Sequence, residues 1–583
     1  MLQSRGDKVV GLEDDLLDAA AVPDDLVMVG EGALFAALTR SRDRSMHSVV
    51  ATIQMEQDDA IRSPSAGATL ITGGPGTGKT VVALHRAAYL LYTDRRRYEG
   101  GGVLVVGPNP VFMAYIERVL PSLGETTVSL RSLGGIVDGI SASRHDSAEI
   151  AAIKGSARMR EVLARAVHGD VPEAPKSFRI FYRDDILTLD ATDLRQIRRS
   201  MLASGQRHNR LVPQVADELL GVLWRQAEGD RARARGFGSF AATLLADRRF
   251  TDFARAWWPA LDATDALRWI ADAARLAGEA GDWLSATEVE KLATAFGSPD
   301  FSVEDVPLLD ELRYLLGDVP EPEVDEDPLA DLVDDTYAEL SVPGSRAHAG
   351  GGSVRPTGSI EDDGYAHVLV DEAQDLSPMQ WRMIARRGRQ ATWTIVGDDA
   401  QSSWPRPAES AAARREALGA REQRTSRLST NYRNSREIFN LAADVARSAI
   451  SGADLPAAVR ITGMEPGVRT VGAADLAPAV RSALDLLADQ LEGTVGVVVP
   501  RGWQQRVDEW LGDRDEQRLP VLEALDTKGL EFDGAVVVEP DAIVAESEVG
   551  VATLYVVLTR ATLRLEVVGT THRWLPAARQ VSV

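Results

Sequence analysis

Short unbroken apolar runs, most of them closed by a glycine or an acid, punctuate two stretches of the chain. "ATLITG" from Ala68, "GVLVVG" from Gly102, "HVLV" from His367 and "TWTIVG" from Thr392 mark the first. "VGVVVP" from Val495, "GAVVVEP" from Gly534 and "LRLEVVG" from Leu563 mark the second. Runs with no polar alternation predict strands covered on both faces, as in a parallel sheet. Helix-period segments such as "KTVVALHRAAYLLY" and "VFMAYIERVLPSL" lie between them, and strand–helix alternation predicts an α/β fold with parallel sheets. From about residue 141 to 317 the pattern turns helical, as in "PQVADELLGVLWRQAEG" and "DATDALRWIADAARLAGEAG", with one hairpin around "SFRIFYRDDILTL".

These patterns divide the chain into five parts. Residues 1–50 are a lead-in and 51–140 open a first α/β unit. Residues 141–360 form a mainly helical insertion, 361–420 complete the first unit, and 421–583 build a second. Within the insertion, Asp318 to Glu339 holds ten acids and no Lys or Arg, then runs into a Gly/Ser-rich stretch. That composition predicts a flexible, solvated loop over 318–360.

Composition narrows the chemistry. The 583 residues include no cysteine, which excludes disulfides and thiolate metal sites and fits a cytoplasmic protein. No apolar run reaches the roughly 18 residues of a membrane span. A net charge of −23 argues against tight DNA binding by the surface as a whole, because such binding needs a basic footprint. A local basic groove, or a basic protein partner, stays compatible with that charge.

"GGPGTGKT" places Gly73, Gly74, Pro75, Gly76, Thr77, Gly78, Lys79 and Thr80 between a predicted strand and a predicted helix. In that context the spacing is a phosphate-binding loop: backbone N–H groups and a helix N-terminus surround a phosphate. Lys79 would then reach the β/γ-phosphates of ATP, and the Thr80 hydroxyl would hold Mg²⁺. A second cue stands at the end of "HVLVDEAQD". Asp371 and Glu372 follow a buried run where charge needs a partner, so Asp371 is read as the second Mg²⁺ ligand and Glu372 as the base that polarises water. The plainer alternative is an acid pair capping the next helix.

With "DEAQD" the sequence resembles superfamily 1 helicases of the UvrD/Rep/PcrA group, and further motifs follow in that family's order. The resemblance implies two RecA-like P-loop NTPase domains. "IQMEQDDAIR" resembles the Q-motif, with Gln57 on the adenine edge. "VGDDAQSSW" implies Gln401 at the γ-phosphate. "LSTNYRNSREI" implies Tyr432 stacked on the base and Arg433 at the γ-phosphate. "DTKGLEFD" implies Glu531 on the ribose, and "LYVVLTRAT" implies Arg560 as a second arginine at the γ-phosphate. Arginines carried by one domain and aimed at a phosphate held by another act only when the cleft closes, so hydrolysis is coupled to domain motion.

The DNA-gripping motifs depart from that pattern. "VVGPNPVFMAYIERVLPSLGE" lacks the Thr/Asn-rich signature, "SLRSLGGI" lacks the expected His, and "SSWPRPAE" keeps only Trp404 of two stacking aromatics. Arg386, Arg387 and Arg389 are candidates for a basic groove, with a solvated helix face as the alternative. Only 95 residues separate Arg433 from Lys528, too few for the large second-domain insertion of UvrD-type enzymes, whereas 292 separate Lys79 from Asp371. This combination resembles HelD, a helicase-like factor that binds RNA polymerase and frees it from nucleic acid. That likeness implies RNA polymerase as partner, weak or transient DNA contact, and an insertion that enters the polymerase channel with acidic tip residues such as Asp325 and Asp327. The N-terminal coiled coil of HelD proteins has no counterpart ahead of "LQSRGDKVVGLEDDLLD". A UvrD-type 3′→5′ DNA translocase is the alternative. A third reading, an ATP-binding scaffold with little turnover, is disfavoured by Glu372, Arg433 and Arg560.

Overall fold

The computed structural model describes residues 2–5, 8–12, 55–108, 113, 128–319, 364–398, 402, 404–449, 455–527, 529–547 and 549–576. The expectations for Gln401 and for the acidic loop beyond Val319, with Asp325 and Asp327, lie outside these residues. Of the lead-in, Leu2–Arg5 and Lys8–Leu12 pair as antiparallel strands.

Two parallel sheets organise the molecule. The first has six strands in the spatial order Gln423–Leu428, Ala68–Gly73, Thr392–Gly397, His367–Val370, Val103–Gly107 and Val128–Ser132. All five pairings are parallel. The alternation of side chains along a strand explains why its members read as unbroken apolar runs. Leu104 and Val106 face a core that contains Trp381, Ile384 and Leu418. Val103 and Val105 face the opposite core, with Val82, Leu90 and Leu91 of the helix Lys79–Thr93. Both faces are therefore helix-covered, and each such side chain contributes roughly 1.5–3 kcal/mol by burial.

The second sheet runs Gly467–Thr470, Ala561–Gly569, Phe532–Val538, Val495–Val499 and Val521–Glu523, again all parallel. Helices Arg436–Ala449 and Gly550–Leu558 cover one face and Leu476–Gln490 the other. Two parallel, doubly covered sheets are the α/β architecture expected of RecA-like lobes.

One expected boundary moves. Gln423–Leu428 lies at the edge of the first sheet, in register with Ala68–Gly73, so the first unit extends past residue 420. Its alternating polar sequence "QRTSRL" buries only Leu428, which is why it carries no apolar signal of its own. The chain passes to the second lobe at Ser429, the single residue between that strand and Thr430–Ser435.

The insertion is helical with one hairpin, Phe178–Tyr182 against Asp185–Leu189. The segment "DATDALRWIADAARLAGEAG" forms two helices, Ala263–Trp269 and Ala273–Ala280, because the Asp272 carboxylate caps the second. The insertion's helix Val306–Leu316 lies against Pro378–Arg387 of the first lobe through an ion cluster. Arg382 meets Glu311 at 2.6 Å, Arg386 meets Asp310 at 2.5 Å, and Arg387 meets Asp310 at 2.9 Å. Among the described residues no helix is long and apolar enough to cross a membrane.

Candidate nucleotide site

The loop from Gly73 to Thr80 leaves the strand Ala68–Gly73, next to the sheet's edge, and enters the helix Lys79–Thr93. Gly76 and Gly78 hold φ values of +68° and +80°, where a side chain would be strained. At Gly76 there is a second reason for glycine: a Cβ would collide with Oδ1 of Asn431, from the other lobe. Lys79 Nζ donates to the Gly74 carbonyl at 2.8 Å, so the ammonium lies folded into the loop that would cradle a phosphate.

Asp371 stands at the end of the strand His367–Val370, one strand removed from the loop. The Thr80 hydroxyl donates to its Oδ2 at 2.7 Å, although the two residues are 291 positions apart. Burial, reinforced by the neighbouring Glu372 carboxylate, pushes Asp371 up to about 7; the Thr80 bond and Lys79 pull the other way. A buried carboxylate and a hydroxyl side by side are hard oxygen donors that suit Mg²⁺, and a cation there would restore the charge that burial disfavours. Among the described residues no group of three or more His, Asp or Glu is placed to hold a metal. Mg²⁺ would then draw its remaining ligands from phosphates and water.

Glu372 does not cap the following helix. It has φ +49° and makes no capping bond, while Ser377 caps Pro378–Arg387 by accepting from Gln380 N. Instead Gln374 Nε2 donates to Glu372 Oε2 at 2.7 Å, and Gln374 Oε1 accepts from Asp398 N at 3.0 Å. Gln374 thus links the acid pair to "VGDD", a tie that no spacing rule revealed.

From the second lobe, Tyr432 N donates to Gly76 O at 3.2 Å and its buried ring abuts Gly78. Gln57 Nε2 is 3.3 Å from where a Gly78 Cβ would stand, so Gln57 and Tyr432 flank the same point of the loop. Arg433 pairs with Glu531. Arg560 is buried and donates to Leu530 O at 3.2 Å and to Val556 O at 3.1 Å. The two guanidiniums therefore converge on consecutive residues, 530 and 531. Asn434 fastens the segment of Tyr432 and Arg433 to that of Arg560, donating to Thr559 O and Ala561 O at 2.7 Å. The "N-Y-R-N" frame around Tyr432 and Arg433 was the available signal for Asn431 and Asn434. Across the cleft, burial and then the Asp398 carboxylate raise Tyr555 well above its ordinary range, with Arg560 opposing.

Two expected nucleic-acid contacts are corrected. Trp404 is buried, and its ring packs so closely on Gly155 of the insertion that a Cβ there would come within 2.5 Å. It is a core residue and not a stacking platform. Arg386 and Arg387 are neither groove nor solvated face, being tied into the Asp310–Glu311 cluster. A cavity of about 600 Å³ does open beside them. Several guanidiniums on its walls are engaged: Arg158 with Glu288, Arg382 with Glu311, Arg389 with the Tyr314 hydroxyl, and Arg421 with backbone carbonyls.

Comparison with known families bears on the segment that carries the acid pair. Residues 361–405 match the UvrD/REP helicase N-terminal domain. No curated protein matches the chain. Over that segment the chain is UvrD/Rep-like, which supports a superfamily 1 helicase-like protein of a family that hydrolyses ATP with Mg²⁺.

Proposed function

We propose that the chain is an ATP-hydrolysing motor of the superfamily 1 helicase type, acting in the cytoplasm, and that it is of the HelD kind, remodelling RNA polymerase held on nucleic acid. The observation that carries the ATPase reading is the bond between Thr80 and Asp371, with Arg433 and Arg560 converging in the lobe that faces it. In this reading the backbone of Gly73–Thr80 and the Lys79 ammonium bind the phosphates, with Gln401 at the γ-phosphate. Gln57 and Tyr432 hold the base, and Glu531 moves from Arg433 to the ribose. Glu372 accepts a proton from the attacking water. Arg433 and Arg560 supply donors to phosphate oxygens as the cleft closes. Mg²⁺ on Thr80 and Asp371 would neutralise phosphate charge.

The HelD component draws support from the loss of DNA grip. Trp404 is buried, Arg386 and Arg387 are consumed by buried acids, and the net charge is −23. The UvrD/Rep match favours a second reading, a DNA translocase of the UvrD type. Turnover with and without single-stranded DNA, beside a pull-down with purified RNA polymerase, separates the two. Polymerase binding without DNA stimulation is expected; strong DNA stimulation without polymerase binding would overturn the HelD reading. Lys79→Ala should abolish hydrolysis. Glu372→Gln should keep ATP binding and lose turnover by about 10²–10⁴-fold, the usual contribution of a general base.

A further inference from the structure

The residue before Gln57 makes a contact that base recognition alone does not need. Both Glu56 carboxylate oxygens are used on Ser429: Oε2 accepts from the backbone N–H at 2.9 Å and Oε1 from the hydroxyl at 2.6 Å. Ser429 is the residue at which the chain crosses from the first sheet to the second lobe. Its carbonyl accepts from Ala457 N at 3.0 Å, so the crossing residue is held on its other side by the strand Ala457–Arg460, which pairs with Thr430–Ser435.

The helix that carries Glu56 and Gln57, residues 55–62, is in turn fixed to the first lobe. Arg86, on the helix behind the phosphate loop, is almost wholly buried. It donates to the carbonyls of Ala60, Ile61, Ser63 and Pro64 and to the hydroxyls of Thr69 and Thr394. One end of the short helix is thereby pinned to the phosphate loop's own helix and sheet. The other end holds the lobe junction, with Gln57 beside Gly78 between them.

We propose that Glu56 is a positioning residue that couples base recognition at Gln57 to the angle between the lobes. This rests on the nucleotide-site reading above. A base that hydrogen-bonds Gln57 orients the first turn of a helix that cannot slide, because Arg86 holds its far end. That orientation passes through the two-pronged carboxylate to Ser429, the pivot of the lobes. A base that fails at Gln57 still delivers its phosphates to Lys79 but leaves the pivot unset. ATP and GTP then differ in the closure they produce more than in their phosphate contacts.

The test measures lobe separation directly. The chain has no cysteine, so a dye pair on Tyr92→Cys and Gln505→Cys, exposed positions of the first and second lobes, labels the full chain uniquely. Mg-ATP is expected to shift energy transfer more than Mg-GTP does. In Glu56→Gln, which retains only one acceptor oxygen, the ATP-over-GTP difference should fall at least about fivefold, the low end of typical site-to-site coupling. Ser429→Ala should act in the same direction, and Ser429→Thr, which keeps both donors, should restore the difference. Thermal melting of each variant reports the fold, which a purely structural contact would weaken without touching the ATP-to-GTP ratio. The proposal is overturned if Glu56→Gln retains the full ATP-over-GTP difference, or if the labelled chain with Glu56 intact shows none. Absence of turnover in a chain that still closes selectively on ATP would instead overturn the hydrolytic reading and leave this one standing.

Discussion

At the scale of single residues, the acid pair shows how burial raises a carboxyl. Asp371 titrates near 7 in the folded chain against 3.8 ordinarily, so between those values the folded state binds the extra proton. The contribution of Asp371 to stability therefore declines as pH rises from about 4 toward 7 and stays reduced above it. Without divalent cation, Asp371→Asn should stabilise the chain by on the order of 1–3 kcal/mol at pH 8 and by almost nothing near pH 4, read by denaturant unfolding in EDTA. An equal effect at both pH values would show that the carboxyl is not perturbed. Asp371, Thr80 and Lys79 were legible in the sequence because a Gly-rich turn and a strand-end acid have local signatures. Gln374 and Glu56 were not: their roles depend on Asp398 and Ser429, partners brought near only by the fold.

Among elements, the insertion is closed by a polar clasp. Lys154 is fully buried at the end of the helix Ala148–Lys154 and meets Asp146 and Asp305 at 2.6 Å each, with Ser302 at 3.3 Å. The residues come from two stretches of the insertion about 150 residues apart, 144–154 and 302–305, joined also by the bridge between Arg144 and Ser302. Lys154→Met would leave two carboxylates in the interior without their ammonium, at a cost of about 3–5 kcal/mol. Adding Asp146→Asn and Asp305→Asn should recover most of that loss in denaturant unfolding followed by tryptophan fluorescence. No recovery would mean that the lysine acts through packing alone. The same scale explains which elements could be read beforehand. Strands buried on both faces, such as Val103–Gly107 and Val495–Val499, announce themselves. Val128–Ser132 and Gln423–Leu428, edge strands with half-solvated faces, do not. Nor does sequence separate a solvated arginine row from Arg386 and Arg387, whose acids lie about 75 residues upstream.

For the whole molecule, the decisive feature is how closely the second lobe approaches the phosphate loop. Gly74 has no need of left-handed backbone, yet a Cβ there would fall on the Pro456 ring, which immediately precedes the second-lobe strand Ala457–Arg460. A proline ring does not swing aside as a flexible side chain would, so the methyl must move backbone. Gly74→Ala should hold the lobes apart, increase the radius of gyration in small-angle scattering with Mg-ATP, and reduce turnover by at least about tenfold. That loss corresponds to roughly 1.4 kcal/mol of transition-state stabilisation, within what donors arriving from a second domain supply. Pro456→Ala removes the obstructing ring, so the double variant should recover both closure and turnover. Turnover lost in the double variant despite recovered closure would place the fault in the phosphate loop itself. Gly74 would then serve the phosphate, and the close fit to Pro456 would be incidental to lobe closure.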